Sequence, residues 1–126
     1  MRRAADGSKV AVLGASPKEE RYSFKAVQML GEHGHHPIPV HPAGHTVNGV
    51  PGVTSLGGID GGVDTLTMYV SAKISDNAYD EIIKLAPRRV IFNPGSENPD
   101  LAKRLIKAGI EVLEACTLVM LRTDQF

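Results

Sequence analysis

The 126 residues, 42% of them hydrophobic and 22% charged, have the balance of one soluble globular domain with a real core. The 14 Lys and Arg cancel the 14 Asp and Glu, so no global field draws the chain to nucleic acid or an acidic membrane, and any anion must be held by local geometry. A single cysteine, Cys116, rules out an intramolecular disulfide.

The basic, then polar, start (Met1 to Ser8) lacks the apolar core of a signal peptide, and no run approaches the ~18 apolar residues of a membrane helix. The expectation is a cytoplasmic protein with neither a nucleic-acid nor a membrane partner. Residues 1–8 read as a flexible lead-in and 9–126 as one domain.

Val10-Ala11-Val12-Leu13 is a continuous apolar run, as in a strand covered on both faces, and Gly14 closes it. From Ser23 to His33 the spacing of Phe24, Val27, Met29 and Leu30 predicts a helix, stopped by Gly31 and Gly34. The proline-framed Pro37-Ile38-Pro39-Val40 suits a strand nearer the sheet edge. Residues 41–62 read as a Gly- and Pro-rich excursion with a short edge strand near Val47 to Val50.

Asp64 to Val70 predicts a strand of β-branched and aromatic residues. Ser75-Asp76 suits the cap of a helix carrying Ala78, Ile82, Ile83 and Leu85, ended by Pro87. Arg89 to Phe92 predicts a strand stopped by Asn93-Pro94-Gly95-Ser96. Leu101, Leu105 and Ile106 mark a helix closed by Gly109, Ile110 to Leu113 a last strand, and Thr117 to Leu121 a terminal turn or helix. Strands alternating with helices imply a Rossmann-like, three-layer α/β/α domain with a mainly parallel sheet of about five or six strands.

Ligands of such sheets sit beyond the carboxyl ends of the strands. Those ends are Gly14-Ala15-Ser16, His41-Pro42, Val70-Ser71 and Asn93-Pro94. Gly14 allows a tight turn and a close approach of amides to phosphate, and Ser16 adds a hydroxyl. The dinucleotide fingerprint is incomplete, because Ser16 and Glu19 stand where its second and third glycines would be, and no Walker lysine follows. Lys18 and Arg21 suit phosphate pairing, Arg21 in bidentate fashion, and equally suit two solvated surface charges.

All five histidines fall between positions 33 and 45, but no Cys or carboxylate joins them at ligand spacing, so no metal is expected. His41 alone ends a strand at the ligand face. Asp60 and Asp64 read as turn residues. Glu97 is the best general acid or base, though completing a helix cap is its plainer role. No nucleophile, base and orienting group form a catalytic set. Cys116 follows the last strand and reads as an inert thiol or, at a strand end, a reactive one.

The series Val10 to Ser16, Arg21-Tyr22-Ser23, Pro39-Val40-His41-Pro42, Asn93-Pro94-Gly95-Ser96-Glu97-Asn98 and Cys116 resembles the small stand-alone CoA-binding domain proteins. These are similar to the N-terminal CoA-binding domain of the succinyl-CoA synthetase alpha subunit. The resemblance spans about residues 9–121 and implies CoA lying across the strand ends. It places Gly14, Ala15 and Ser16 near the phosphates, with Arg21 and Ser23 at the following helix start. His41-Pro42 would lie beside the nucleotide, with Val70, Ser71, Asn93 and Pro94 along the rest of the groove. His41 stands where the family usually has Asn, and Asn93-Pro94-Gly95 where Gln-x-Gly is more usual.

The resulting expectation is a CoA or acyl-CoA binding protein without catalytic activity of its own. The phosphohistidine of the synthetase belongs to a later domain for which this chain has no space, so synthetase activity alone is not expected. Three alternatives stay open: an NAD-type nucleotide-cofactor enzyme, CoA-thiol chemistry at Cys116, and a regulatory domain docking on a larger protein. An open sheet edge also leaves room for a homodimer.

Overall fold

In the computed structural model, which describes residues 2–126, five strands form one parallel sheet. They are β1 (Lys9–Leu13), β2 (His36–Val40), β3 (Val63–Met68), β4 (Arg89–Phe92) and β5 (Glu111–Glu114). The helices are α1 (Tyr22–Glu32), α2 (Ala72–Ser75), α3 (Tyr79–Leu85), α4 (Pro99–Lys107) and α5 (Thr117–Arg122), with one 3-10 turn at Leu56–Gly58. The strand order β2-β1-β3-β4-β5 reverses its winding between β1 and β3, which opens a crevice at the carboxyl ends of those two strands.

Period-two alternation splits the buried side chains into two layers. Val10, Val12 and Ile91 face Val27 and Leu30 of α1 and Met120 and Leu121 of α5. Ala11, Leu66, Met68, Val90 and Phe92 face Ile82 and Leu85 of α3 and Leu101 and Leu105 of α4. With helices on both sides, the middle strands have no solvent face, which explains the unbroken apolar run of β1. The α/β/α architecture is as expected, with five strands.

β2 lies at the edge, and its prolines explain how that edge is blunted. His36 N donates to Ser8 O, and Val40 O accepts from Gly14 N, so alternate residues face β1. Pro37 and Pro39 therefore face outward, where a missing N–H costs the sheet nothing. Val53 covers the end of this edge, its N–H donating to Pro39 O at 2.9 Å.

Local expectations fail where distant partners decide. Val47 and Val50 form no edge strand: they exchange two backbone bonds of 2.9 Å across a tight turn through Asn48 and Gly49. Ser75-Asp76 does not cap the helix that carries Ile82. It ends the one-turn α2, and α3 starts after Ala78 with no side-chain cap. Asn98 claims both residues instead, donating to Ser75 Oγ and Asp76 Oδ1, while its own carbonyl caps α4 by accepting from Leu101 N. Glu97 accepts from Gly95 N and so braces the preceding turn rather than the helix. The lead-in is tethered, with Ala4 N donating to Phe126 O and Arg3 paired with Asp124 at 3.1 Å. No helix among the described residues is long and apolar enough to cross a membrane.

Candidate functional site

The β1–α1 loop is held against the crevice by contacts that only a glycine permits. Gly14 has φ +88°, and a Cβ there would meet Tyr69 O at 2.7 Å and Val70 Cγ1 at 2.8 Å. The amides of Gly14 and Ala15 both donate to Val40 O, at 2.8 and 3.2 Å. Ser16 N donates to Ser23 Oγ, and Lys18 N donates to Ser16 Oγ. The amides of Gly14, Ala15, Ser16 and Lys18 are thus consumed within the fold. Ala15 is fully buried and Ser23 nearly so, and the Ser23 hydroxyl works as a strut between loop and helix.

Further donors without a partner lie at the start of α1. Its N-terminus carries no side-chain cap, and its first ladder bond runs from Lys25 N to Arg21 O. The amides of Tyr22, Ser23 and Phe24 therefore lack a partner among the described residues, at the end of an 11-residue helix whose dipole favours an anion. They lie beside a cleft of about 550 Å³ lined by Gly14, Ser16, Lys18, Arg21, His41, His45 and Tyr69. No carboxylate lines that cleft, and neither Lys18 nor Arg21 forms an ion pair among the described residues.

Two smaller recesses extend the cleft in both directions. One, of about 340 Å³, shares Gly14 and His41 with it and is lined by apolar groups of Leu13, Val40, Pro42, Leu56, Val70 and Ile74. The other, also about 340 Å³, shares Tyr22 and Tyr69 and ends at Pro94, Cys116, Leu118 and Arg122. Together they make a groove across the ends of β2, β1, β3 and β4.

The sequence-derived site residues divide accordingly. Gly14, Ser16, Lys18, Arg21, Ser23 and His41 converge on the cleft, Pro42 and Val70 on the apolar recess, and Asn93 and Pro94 on the third. Ser71 is exposed at the start of α2, outside these three cavities. Asn93 lines its recess, but its polar atoms are spent. Nδ2 donates to Thr67 Oγ1 and Met68 O, and Oδ1 accepts from Thr117 N, at 2.7 to 2.8 Å. It clasps β3, β4 and α5 at the floor of the groove.

Tyr69, Tyr22 and His45 also line the cleft; none of them carries a site role on sequence grounds, Tyr22 entering only within the resemblance and His45 only among the histidines. Tyr69 follows β3 on the same face as Thr65 and Thr67. That alternation was readable, although the end of β3 at Met68 was not. Burial raises the Tyr69 phenol above its ordinary range, and its hydroxyl has no partner among the described residues. The hydroxyl is buried, while the rest of the residue lines two of the cavities. Cys116 is a free, half-buried thiol at the start of α5. Among the described residues no three His, Cys, Asp or Glu side chains gather as metal ligands.

A doubly wound parallel sheet with helices on both faces and a crevice at its switch point defines a Rossmann-like domain. The chain belongs to the CoA-binding domain family, whose sequence pattern matches residues 8–122. It is similar to an uncharacterised protein of known structure at 39% identity and a TM-score of 0.91, over 97% of this chain and 100% of the other. A hypothetical protein from Pyrococcus horikoshii OT3 matches at 26% identity and a TM-score of 0.86, over 93% and 83%. The fold also recurs in the dinucleotide-forming acetyl-coenzyme A synthetase 1 of Ca. Korarchaeum cryptofilum, at 19% identity and a TM-score of 0.74. That match covers 87% of this chain and 26% of the synthetase.

Proposed function

We propose that the protein binds CoA or an acyl-CoA in the groove and performs no chemistry on it. The observation that carries this reading, in a chain of the CoA-binding domain family, is the uncapped α1 N-terminus. It sits on a carboxylate-free cleft beside Lys18 and Arg21. Phosphates there would accept from the Tyr22, Ser23 and Phe24 amides and pair with the two cations, each charge-assisted bond contributing roughly 1.5–3 kcal/mol. The adenosine end would use the apolar recess past Gly14, and the thiol end the recess that finishes at Cys116.

The absence of catalysis is supported by the side chains around the groove. Asn93 has its amide occupied by Thr67, Met68 and Thr117, and no histidine lines the recess of Cys116. Calorimetric titration with CoA, dephospho-CoA and NAD tests the reading. Saturable heat with CoA is expected, and no heat or thermal shift with CoA would overturn it.

A second reading, docking on a larger protein, has one observation in its favour: the same fold forms about a quarter (26%) of the Korarchaeum synthetase chain. A sedimentation run that finds the CoA-loaded protein monomeric alone and unchanged by candidate synthetase subunits would remove it.

A further inference from the structure

The recess that finishes at Cys116 is built differently from the cleft it joins. Two helices wall it, α1 with Tyr22 and Lys25 and α5 with Leu118 and Arg122, and Pro94 and Cys116 line its end. The spacing on both walls is helical. Lys25 stands three residues after Tyr22 and Arg122 four after Leu118, so each cation lies about one turn, or about 5.4 Å, beyond an aromatic or apolar residue on the same helix face. Both helices set out from the carboxyl ends of their strands. The recess therefore passes from apolar at the strand ends to cationic one turn away from them.

Neither cation is spent within the fold. Among the described residues Lys25 and Arg122 form no ion pair, and no carboxylate lines the recess. The sequence explains why. The residues three and four positions from Lys25 are Arg21, Tyr22, Gln28 and Met29, and those three and four before Arg122, which closes α5, are Val119 and Leu118. None is acidic, so neither helix offers its cation an internal partner. Lys25 only leans over the Tyr22 ring, 5.5 Å from its centre.

Walls that change in this order fit a chain that is apolar where it leaves the thiol and anionic about one turn further on. An acyl group derived from a dicarboxylic acid has that order. An extended chain of about four carbon–carbon bonds covers the distance from Tyr22 and Leu118 to the two cations. A neutral acyl chain of the same length would end with its methyl group against both charges and gain nothing from them.

Resting on the CoA reading, we propose that this recess selects the acyl group. Its ligands are CoA thioesters of short dicarboxylic acids, of about four or five carbons, whose distal carboxylate is held between Lys25 and Arg122. The planar guanidinium of Arg122 suits a side-on carboxylate, and Lys25 adds a second charge.

The test is calorimetry with free CoA, glutaryl-CoA and valeryl-CoA, the last two differing only in a terminal carboxylate for a methyl, and with octanoyl-CoA as a longer neutral chain. Glutaryl-CoA is expected to bind roughly 5- to 20-fold tighter than valeryl-CoA, and tighter than octanoyl-CoA. The ratio of glutaryl-CoA to valeryl-CoA affinity should approach one in the double variant Lys25→Gln/Arg122→Gln. Equal affinities on the unaltered chain, a ratio that survives the double variant, or octanoyl-CoA binding tighter than glutaryl-CoA overturns the proposal while leaving CoA binding intact. So does free CoA binding where no thioester binds. No binding of any of the four overturns both readings. The ratio is first read on the unaltered chain, so the proposal stays testable if the variant fails to fold.

Discussion

The two ends of the sheet carry the same kinds of side chain and use them in opposite ways. At the amino ends of the strands most charged side chains are engaged by neighbours, although Arg89 Nη1 and Nη2 and His35 Nδ1 lie buried without a hydrogen-bond partner among the described residues. Arg88 grips Asp64 at 2.8 Å, Arg3 pairs with Asp124, and Arg89 lies wholly buried with its guanidinium carbon 4.5 Å from the centre of the Phe126 ring and its Nε donating to Thr65. At the carboxyl ends Lys18 and Arg21 have no carboxylate and the α1 amides have no cap. A cation consumed by its neighbours holds a fold together, whereas one left free beside an uncapped helix is available to a ligand. The histidines divide in the same way. His35 lies at the basal end with its ring 5.2 Å from that of Phe126, while His41 and His45 face the groove.

The contrast can be broken most sharply at Gly14, where both roles meet. Gly14→Ala puts a Cβ 2.7 Å from Tyr69 O at a φ of +88°. Strain alone costs roughly 1–3 kcal/mol, with the clash in addition. A lower urea midpoint together with lost CoA binding is expected, and unchanged values of both would refute the close β1–β3 approach. Next comes Asn93→Ala, which leaves the buried Thr117 amide and Met68 carbonyl without this partner. It should destabilise by roughly 2–4 kcal/mol in chemical unfolding.

Arg21→Gln should do the reverse, weakening CoA by roughly tenfold while shifting stability by less than about 0.5 kcal/mol, since the side chain is exposed and unpaired. A matching loss of stability would mean that Arg21 belongs to the scaffold.

The smallest effect is the pH dependence of stability at the basal end. Burial, then the neighbouring His33, lowers the His35 imidazole below its ordinary range. Burial would raise the Asp64 carboxyl, but hydrogen bonds from Arg88 and Thr65 outweigh it and hold that carboxyl low. For both groups the folded value lies below the unfolded one, so their contribution is complete above the unfolded value and lost on acidification. Stability should begin to fall below about pH 6.5 through His35, and again below about pH 4 through Asp64. His35→Gln should flatten the first decline and Asp64→Asn the second, as read from thermal midpoints against pH.

Much of the scaffold was legible because β1, β3 and β4 are apolar or β-branched runs closed by turn residues, a signal internal to each segment. The caps were not. Ser75, Asp76, Glu97 and Asn98 are all plausible cap residues, and the choice among them is made by Asn98 reaching back across 22 positions to Asp76. The strand ends that form the site were readable from topology, which is why most of the named positions converge on one groove. What could not be read is which atoms remain free. The Gly14 and Ala15 amides are taken by Val40, a residue on another strand, and the Asn93 amide is filled from β3 and α5. His45 resembles the other histidines until the chain turns it back against His41.

Residue-resolved amide NMR during a CoA titration reports most directly where the phosphates of the proposed ligand rest. The largest shifts are expected at the amides of Tyr22, Ser23 and Phe24, with smaller ones along the groove to Tyr69 and none at Arg3, His35 or Arg88. Binding that leaves the α1 amides unmoved, or that moves the basal end instead, would contradict that placement.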